Sequence, residues 1–309
     1  MIFFITSPRL WRWVGLLVAL LGLLPTAWAQ RKVQVVTRTL EQSWNCPPGM
    51  TVRIRAEKAN VQVRAWDRPT VQVTLRLSAR HADRAVAEQD LPVAKYRLQK
   101  NGNALDLINF YTLAEDAPAV RSDLRAEYTV FMPAGNTLQV ANAYGQTDLT
   151  DLTGEQTVDQ SFGQIHLRNL SGTLGVTARY ADLTGINLQA DFTCEANRSA
   201  VQLLGLGGSS LIRNYYGSVH LQATAAVRKL RVETNRTEVV VSVPQPELFG
   251  YELSVQQGLL TVPPAFADAR KGNSNHASLT VKTRPPRPVL HVSATYAPLT
   301  FQTQPLAQL

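Results

Sequence analysis

The stretch LQVANAYGQTDLTDLTG, residues 138–154, is followed by QTVDQSFGQIHLRNLSG at 156–172 and LGVTARYADLTGINLQA at 174–190. Aligned at a spacing of 18, these segments place like on like. Tyr144, Phe162 and Tyr180 share a column that continues through Arg198 to Tyr216. Val140, Val158, Val176, Cys194, Ile212 and Leu230 form a second column. Thr147, Ile165, Leu183, Val201, Val219 and Thr237 form a third. Leu149, Leu167, Gly185, Leu203, Leu221 and Val239 form a fourth, and Leu152, Leu170, Leu188, Leu206 and Thr224 a fifth. Small residues follow at Gly154, Gly172, Ala190 and Gly208.

Within each unit apolar residues alternate with polar ones, as in Leu138-Gln139-Val140 and Ile165-His166-Leu167. That is the period of a β-strand, whose side chains point alternately to its two faces. Glycines mark turns, where a positive φ costs little. One unit of short strands cannot bury its own apolar face, but stacked units share a continuous core. The expected fold is therefore all-β: a single-stranded parallel β-helix with 18-residue rungs over about 136–244. A left-handed coil of three six-residue faces would show an aliphatic residue every six positions. The uneven offsets here favour a right-handed coil.

Outward from the repeat, Thr51–Ile54 and Asn60–Val63 fit two strand halves of a rung, and Trp66–Pro69 supplies the turn after them. Longer alternating segments at Thr70–Ala79, Ala94–Gln99, Leu105–Phe110 and Arg125–Met132 predict an antiparallel β extension near the N-terminus. Ala114–Ser122 reads as a loop. Tyr251–Val262 alternates around Gly258, Pro263–Asn275 reads as a polar mobile loop, and Leu290–Val292 with Leu299–Phe301 predicts a closing rung. Pro285, Pro286 and Pro288 predict a stiff connector before it.

The first 29 residues read as a secretory signal peptide. Arg9 and Arg12 give a positive start, Val14–Leu24 an apolar run, and Ala27-Trp28-Ala29 the small residues of a cleavage site. The apolar run falls short of the ~20 residues of a membrane span. Residues 30–309 then form one domain in the periplasm, on the cell surface or outside the cell. The full chain carries a net charge of +8. Its positive residues are scattered, so nucleic acid is not an expected partner, and Arg284–Arg287 with Arg270 and Lys271 make at most a local basic lip. Two cysteines, Cys46 and Cys194, would favour a disulfide in an oxidising compartment. Cys194, however, sits in an inward column beside Val and Ile and reads as a small core residue.

The opening segment VRIRAEKANVQVRAWDRPTVQV (residues 52–73), the units from Leu138 onward and the closing Leu290–Phe301 resemble the bacterial putative-adhesin β-helix family of unknown function, which is auto-transporter adhesin head-like. The resemblance covers roughly Trp44–Phe301. It implies a β-helix and an adhesin-like role, and it assigns no catalytic, cofactor or metal residue. Arg198 departs from the aromatic column and is expected to weaken a stack there.

The residues themselves carry little chemistry. Asp148, His166, Thr184, Gln202, His220 and Glu238 share an outward column, with Asp148 and His166 on adjacent rungs. His166 and His220 are too far apart to share one metal. Glycosidic cleavage needs paired carboxylates on neighbouring rungs, and none is visible. The aromatic column Tyr144, Phe162, Tyr180, Tyr216 is the one ligand-stacking candidate. Exposed, it offers rings to sugars; inward, it is a core row, and counting by twos from Val140 places it inward. The expected function is a non-enzymatic surface or envelope protein presenting a rigid face to a polysaccharide or envelope partner. No metal and no cofactor are expected, and the oligomeric state is left open. A self-assembling scaffold and a carbohydrate-active enzyme are the alternatives.

Overall fold

The computed structural model describes residues 33–115, 118–273, 275–283 and 287–306. The leader, its cleavage point before Gln30, and Arg284, Pro285 and Pro286 lie outside the described residues. The fold is all-β, and fifteen strands join in one mixed sheet. No helix among the described residues is long and apolar enough to cross a membrane.

The repeat governs the middle. β8 (Thr137–Thr150) runs parallel to β9 (Glu155–Ser242), with Leu138 opposite Gln156, Val140 opposite Val158 and Leu149 opposite Leu167. An 88-residue run would extend about 290 Å if straight, at ~3.3 Å per residue. It instead returns on itself, and the 18-residue offset recurs inside it. Asn187 Nδ2 donates to Asn169 Oδ1, Ala181 N to Ser199 Oγ, and Ala200 N to Asp182 Oδ1. Val140, Val158, Val176, Cys194 and Ile212 are all buried, as are Leu152, Leu170, Leu188 and Leu206. Gly185 breaks a leucine column for a packing reason. A Cβ there would lie 2.7 Å from both Leu188 Cδ1 and Leu203 Cδ2, which already fill the space.

The register expected for the last unit is displaced by two residues. Thr224 Oγ1 still donates to Leu206 O, 18 residues back. Beyond it the offset is 20: Arg213 Nε bonds Glu233 Oε2 at 3.0 Å, and the left-handed corner after Tyr216 falls at Arg236. Thr237 Oγ1 donates to Asn235 O just as Ser199 Oγ donates to Asn197 O, so Thr237 aligns with Ser199 rather than with Val201 and Val219. Two extra residues lie between Thr224 and Leu230. An even insertion keeps apolar side chains inward, so Leu230, Thr237 and Val239 remain buried and the pattern hides the shift.

Spatial order departs from chain order at both ends. β2 (Thr51–Glu57) and β3 (Ala59–Trp66) pair parallel with β8 on one side. On the other side they pair parallel with β6 (Ala104–Tyr111) and β7 (Asp123–Pro133). The segments Leu105–Phe110 and Arg125–Met132, expected in the antiparallel extension, thus join the parallel layers on that side. Antiparallel strands extend the end beyond them: β4 (Thr70–His81) on β7 and β5 (Ala94–Asn101) on β6, both expected, and β1 (Gln34–Asn45) on β4. The sequence did not announce β1 or the short helix α1 (Arg84–Asp90), whose N-terminus is capped by the Asp83 side chain accepting from Ala85 N.

At the other end, β14 (Val289–Thr295) and β15 (Leu299–Gln302) pair parallel with β9. They are not the closing layer. β10 (Gly250–Gln256) and β11 (Leu260–Thr261) lie beyond them, and β13 (His276–Val281) pairs antiparallel with β10. The expected loop at 263–275 contains a 3-10 helix, Pro264–Ala269, and a strand β12 (Arg270–Gly272) paired with β13. Phe266 packs there against Tyr251 and Phe301, with ring centroids 5.6 and 5.1 Å away, which fixes the segment.

Candidate functional site

Each unit turns one corner through a residue with left-handed backbone. These residues are Tyr144, Phe162, Tyr180, Arg198, Tyr216, Arg236 and Tyr296, with φ of 64°, 61°, 53°, 52°, 60°, 51° and 59°. Lys58 (φ 48°) precedes Tyr144 in the same row, and Gln257 (φ 52°) follows Tyr296. A left-handed residue interrupts the alternation of an extended chain. Val140 and Asn142 face inward, the corner turns, and inward facing resumes at Thr147 and Leu149. Counting by twos across the corner therefore fails, and the aromatic column is not a core row. Tyr144, Phe162, Tyr180 and Tyr216 are 41–54% exposed.

The exposed rings face one another. Tyr144 and Phe162 stack with centroids 4.8 Å apart and planes 2° from parallel; Phe162 and Tyr180 stack at 5.1 Å and 14°. Arg198 continues the row rather than weakening it. Its guanidinium lies between Tyr180 (5.3 Å) and Tyr216 (5.7 Å) and donates to the Tyr180 hydroxyl. A planar guanidinium stacks on ring faces much as another ring would. Arg236 repeats the arrangement between Tyr216 (5.5 Å) and Tyr296 (5.8 Å), and donates to the Tyr216 hydroxyl at 3.1 Å. The result is an exposed ribbon, aromatic at one end and alternating tyrosine with arginine at the other.

Backbone crowding permits this row. A Cβ on Gly163, at φ 116°, would stand 1.9 Å from Gly145 O. Gly217, at φ 145°, is equally close to the backbone below it, 2.1 Å from Ser199 O. At these two corners no side chain fits after the left-handed residue, which accounts for the Phe-Gly and Tyr-Gly pairs, whereas Ser199 and Thr237 follow Arg198 and Arg236.

The outward column with histidines forms a second feature. His166 Nδ1 lies 2.8 Å from Asp148 Oδ1, and Gln146 Nε2 donates to both carboxylate oxygens at 2.9 Å. A groove of about 540 Å³ surrounds them, bordered by Gln62, Arg64, Phe131, Arg168 and Thr184. A similar clip closes the far end, where His291 Nδ1 lies 2.9 Å from Glu252 Oε2. His220 is not brought to either, and its Nε2 is buried without a hydrogen-bond partner among the described residues. No group of three His, Cys, Asp or Glu side chains among the described residues could hold a metal. Cys46 and Cys194 are both buried and unpaired with each other. Arg270 Nε is tied to Leu260 O at 3.0 Å, so it is not a free member of a basic lip.

A further row escaped sequence reading. Asp151, Asn169, Asn187 and Gly205 all have positive φ, 18 residues apart, and Asn169 Nδ2 donates to Asp151 Oδ1 at 2.9 Å. Asp, Asn and Gly are the residues that tolerate this backbone best, so the signal was present in their spacing.

No family model matches the chain, and no curated protein matches it. Among solved structures, one described as a "putative cell adhesion protein" from Clostridium sporogenes aligns over 86% of this chain and 99% of its own. The identity is 9% and the TM-score 0.25.

Proposed function

We propose that this chain is an exported, non-enzymatic, adhesin-like protein whose repeats coil as a parallel β-helix and present the exposed ribbon to a polysaccharide. The observation that carries the reading is the ordered row of tyrosine, phenylalanine and arginine side chains along one corner. Each is held by a strained backbone and by its neighbours, so little side-chain freedom is lost when a partner docks. The hydroxyls and guanidinium edges face solvent and suit the hydroxyl-rich surface of a glycan. Co-sedimentation of the mature chain with insoluble polysaccharides and isolated bacterial envelopes tests the reading. Binding that weakens when Tyr144, Phe162 and Tyr180 are replaced by alanine is expected. Binding indifferent to that triple replacement would remove the ribbon from the function.

A specific observation favours a second reading. β1 pairs only with β4, which leaves a 12-residue strand edge without a partner among the described residues. Such an edge is a template for strand pairing. A scaffold assembled through it would show mass rising with concentration in sedimentation velocity.

A further inference from the structure

The two halves of the ribbon differ in charge. Arg76, Arg84, Arg125, Arg179, Arg213, Arg228 and Arg231 each have a carboxylate within 4 Å. Arg198 and Arg236 have none among the described residues; Arg55, Arg64 and Arg168 also lack one, but Arg198 and Arg236 are in addition ordered between ring faces. Asp182, one repeat below Ala200, already accepts from Ala200 N at 2.9 Å, and Glu238 pairs with neither arginine. Each guanidinium gives one N–H to a tyrosine hydroxyl, at Tyr180 and at Tyr216. Of its five N–H donors the others remain. The same hydroxyl–guanidinium pair is thus built twice, two repeats apart, with charge left uncompensated both times.

We infer that this half of the ribbon binds a linear carboxylated polysaccharide, with one carboxylate at Arg198 and another at Arg236. The inference rests on the glycan-binding reading above and names the class of glycan. Strands stack ~4.8 Å apart, so the two guanidiniums stand about 10 Å apart along the ribbon. In an extended chain of uronic acids, carboxylates on one side recur at every second sugar, a spacing of the same order. The guanidinium fork takes a carboxylate through two parallel N–H bonds, and the adjacent tyrosine hydroxyl is left to donate to a sugar oxygen. Single-stranded nucleic acid fits less well. It needs free ring faces on which bases stack, and here each ring face is turned to the next member of the row.

The test measures binding of the mature chain to polygalacturonate, to its fully methyl-esterified form and to a single-stranded oligonucleotide, at matched ionic strength. Three double variants accompany the wild type: Arg198→Gln with Arg236→Gln, Arg198→Lys with Arg236→Lys, and Arg84→Gln with Arg228→Gln. The last removes equal charge away from the ribbon. Far-UV circular dichroism and thermal midpoints confirm that each variant folds. The acid polymer is expected to bind and its ester not. The ribbon glutamines should weaken binding about tenfold or more, the scale of lost hydrogen bonds to a charged group. The lysines should recover part of it, because they keep charge without the fork. The Arg84 and Arg228 control should match wild type. Equal binding of acid and ester would overturn the inference while leaving the glycan-binding reading intact. Oligonucleotide bound as tightly as polygalacturonate, or ribbon variants no weaker than the control, would also overturn it. Binding of neither glycan form would remove both.

Discussion

At the residue scale, the ribbon sets backbone strain against side-chain stacking. A non-glycine residue in the left-handed region costs roughly 1–2 kcal/mol, and an aromatic pair contributes ~0.5–1.5 kcal/mol. Phe162 stacks on both Tyr144 and Tyr180. Phe162→Ala keeps the strain and loses both stacks, so it should lower stability by about 1–3 kcal/mol. Phe162→Gly loses the stacks and relieves the strain, so it should fall between about 1 kcal/mol above and about 2 kcal/mol below wild type, and above the alanine variant. Urea midpoints that ranked glycine below alanine would show that the backbone there is not strained. Burial sets a second residue-scale expectation. Desolvation, aided by the Glu195 carboxylate, pushes the Cys194 thiol up to about 12 from 9.0. The folded value exceeds the unfolded one, so this contribution is complete below pH 9 and declines as pH rises toward 12. Cys194→Val should remove that alkaline loss in pH-dependent melts, and native Cys194 should resist alkylation until urea is added. The inward position of Cys194 was legible from its column. The exposure of Tyr144 was not, because alternation counts strand residues and a left-handed corner is not one.

At the scale of the element, the repeat should tolerate changes of a whole unit and no others. Excision of residues 165–182 places Leu183 where Ile165 stood and restores every inward column. Excision of 166–182 places Leu183 where His166 stood and turns apolar side chains outward, since a one-residue slip exchanges the two faces of a strand. The first variant should remain folded, with β-type circular dichroism and a slightly smaller urea m-value, in keeping with the surface lost. The second should be insoluble or unfolded. A folded 17-residue excision would mean that the corners absorb register errors. The natural chain already shows the permitted kind of irregularity. The two residues added between Thr224 and Leu230 preserve parity, and Arg236 takes the corner position that an 18-residue count would give to Thr234. Sequence reading found the period because identical columns stack. It missed the insertion because parity, which is what apolar patterning records, was unchanged.

Across the whole molecule, a parallel stack must end somewhere, and each end is an open row of backbone donors and acceptors. The ends here are finished by antiparallel strands, except at the two-residue β11, which is parallel to β15, and they are not equally guarded. β5 carries Lys95, Arg97 and Lys100 on its short edge, and β12 has three residues. Charges on an edge strand oppose pairing with another chain. β1 is longer and carries only Arg38 and Glu41, and it shields β4, whose Val71, Val73, Leu75 and Leu77 are fully buried. Patterning could not foresee this shield, because Val36, Leu40 and Trp44 recur every fourth residue amid polar ones and give a weak strand signal. Removing residues 34–45 should therefore do more than subtract their own contacts. It would uncover a 12-residue edge beside apolar core, and static light scattering should rise steeply with concentration in the truncated chain and not in the full one. Two causes would then compete: general loss of stability and pairing through the new edge. Thr74→Lys in the truncated chain separates them, since Thr74 lies opposite Glu41 and is half-exposed even with β1 in place. A lysine there opposes edge pairing and adds no stability, so scattering should fall while the thermal midpoint stays low. Scattering unchanged by the lysine would assign the aggregation to unfolding and leave the end of the stack protected by something other than β1.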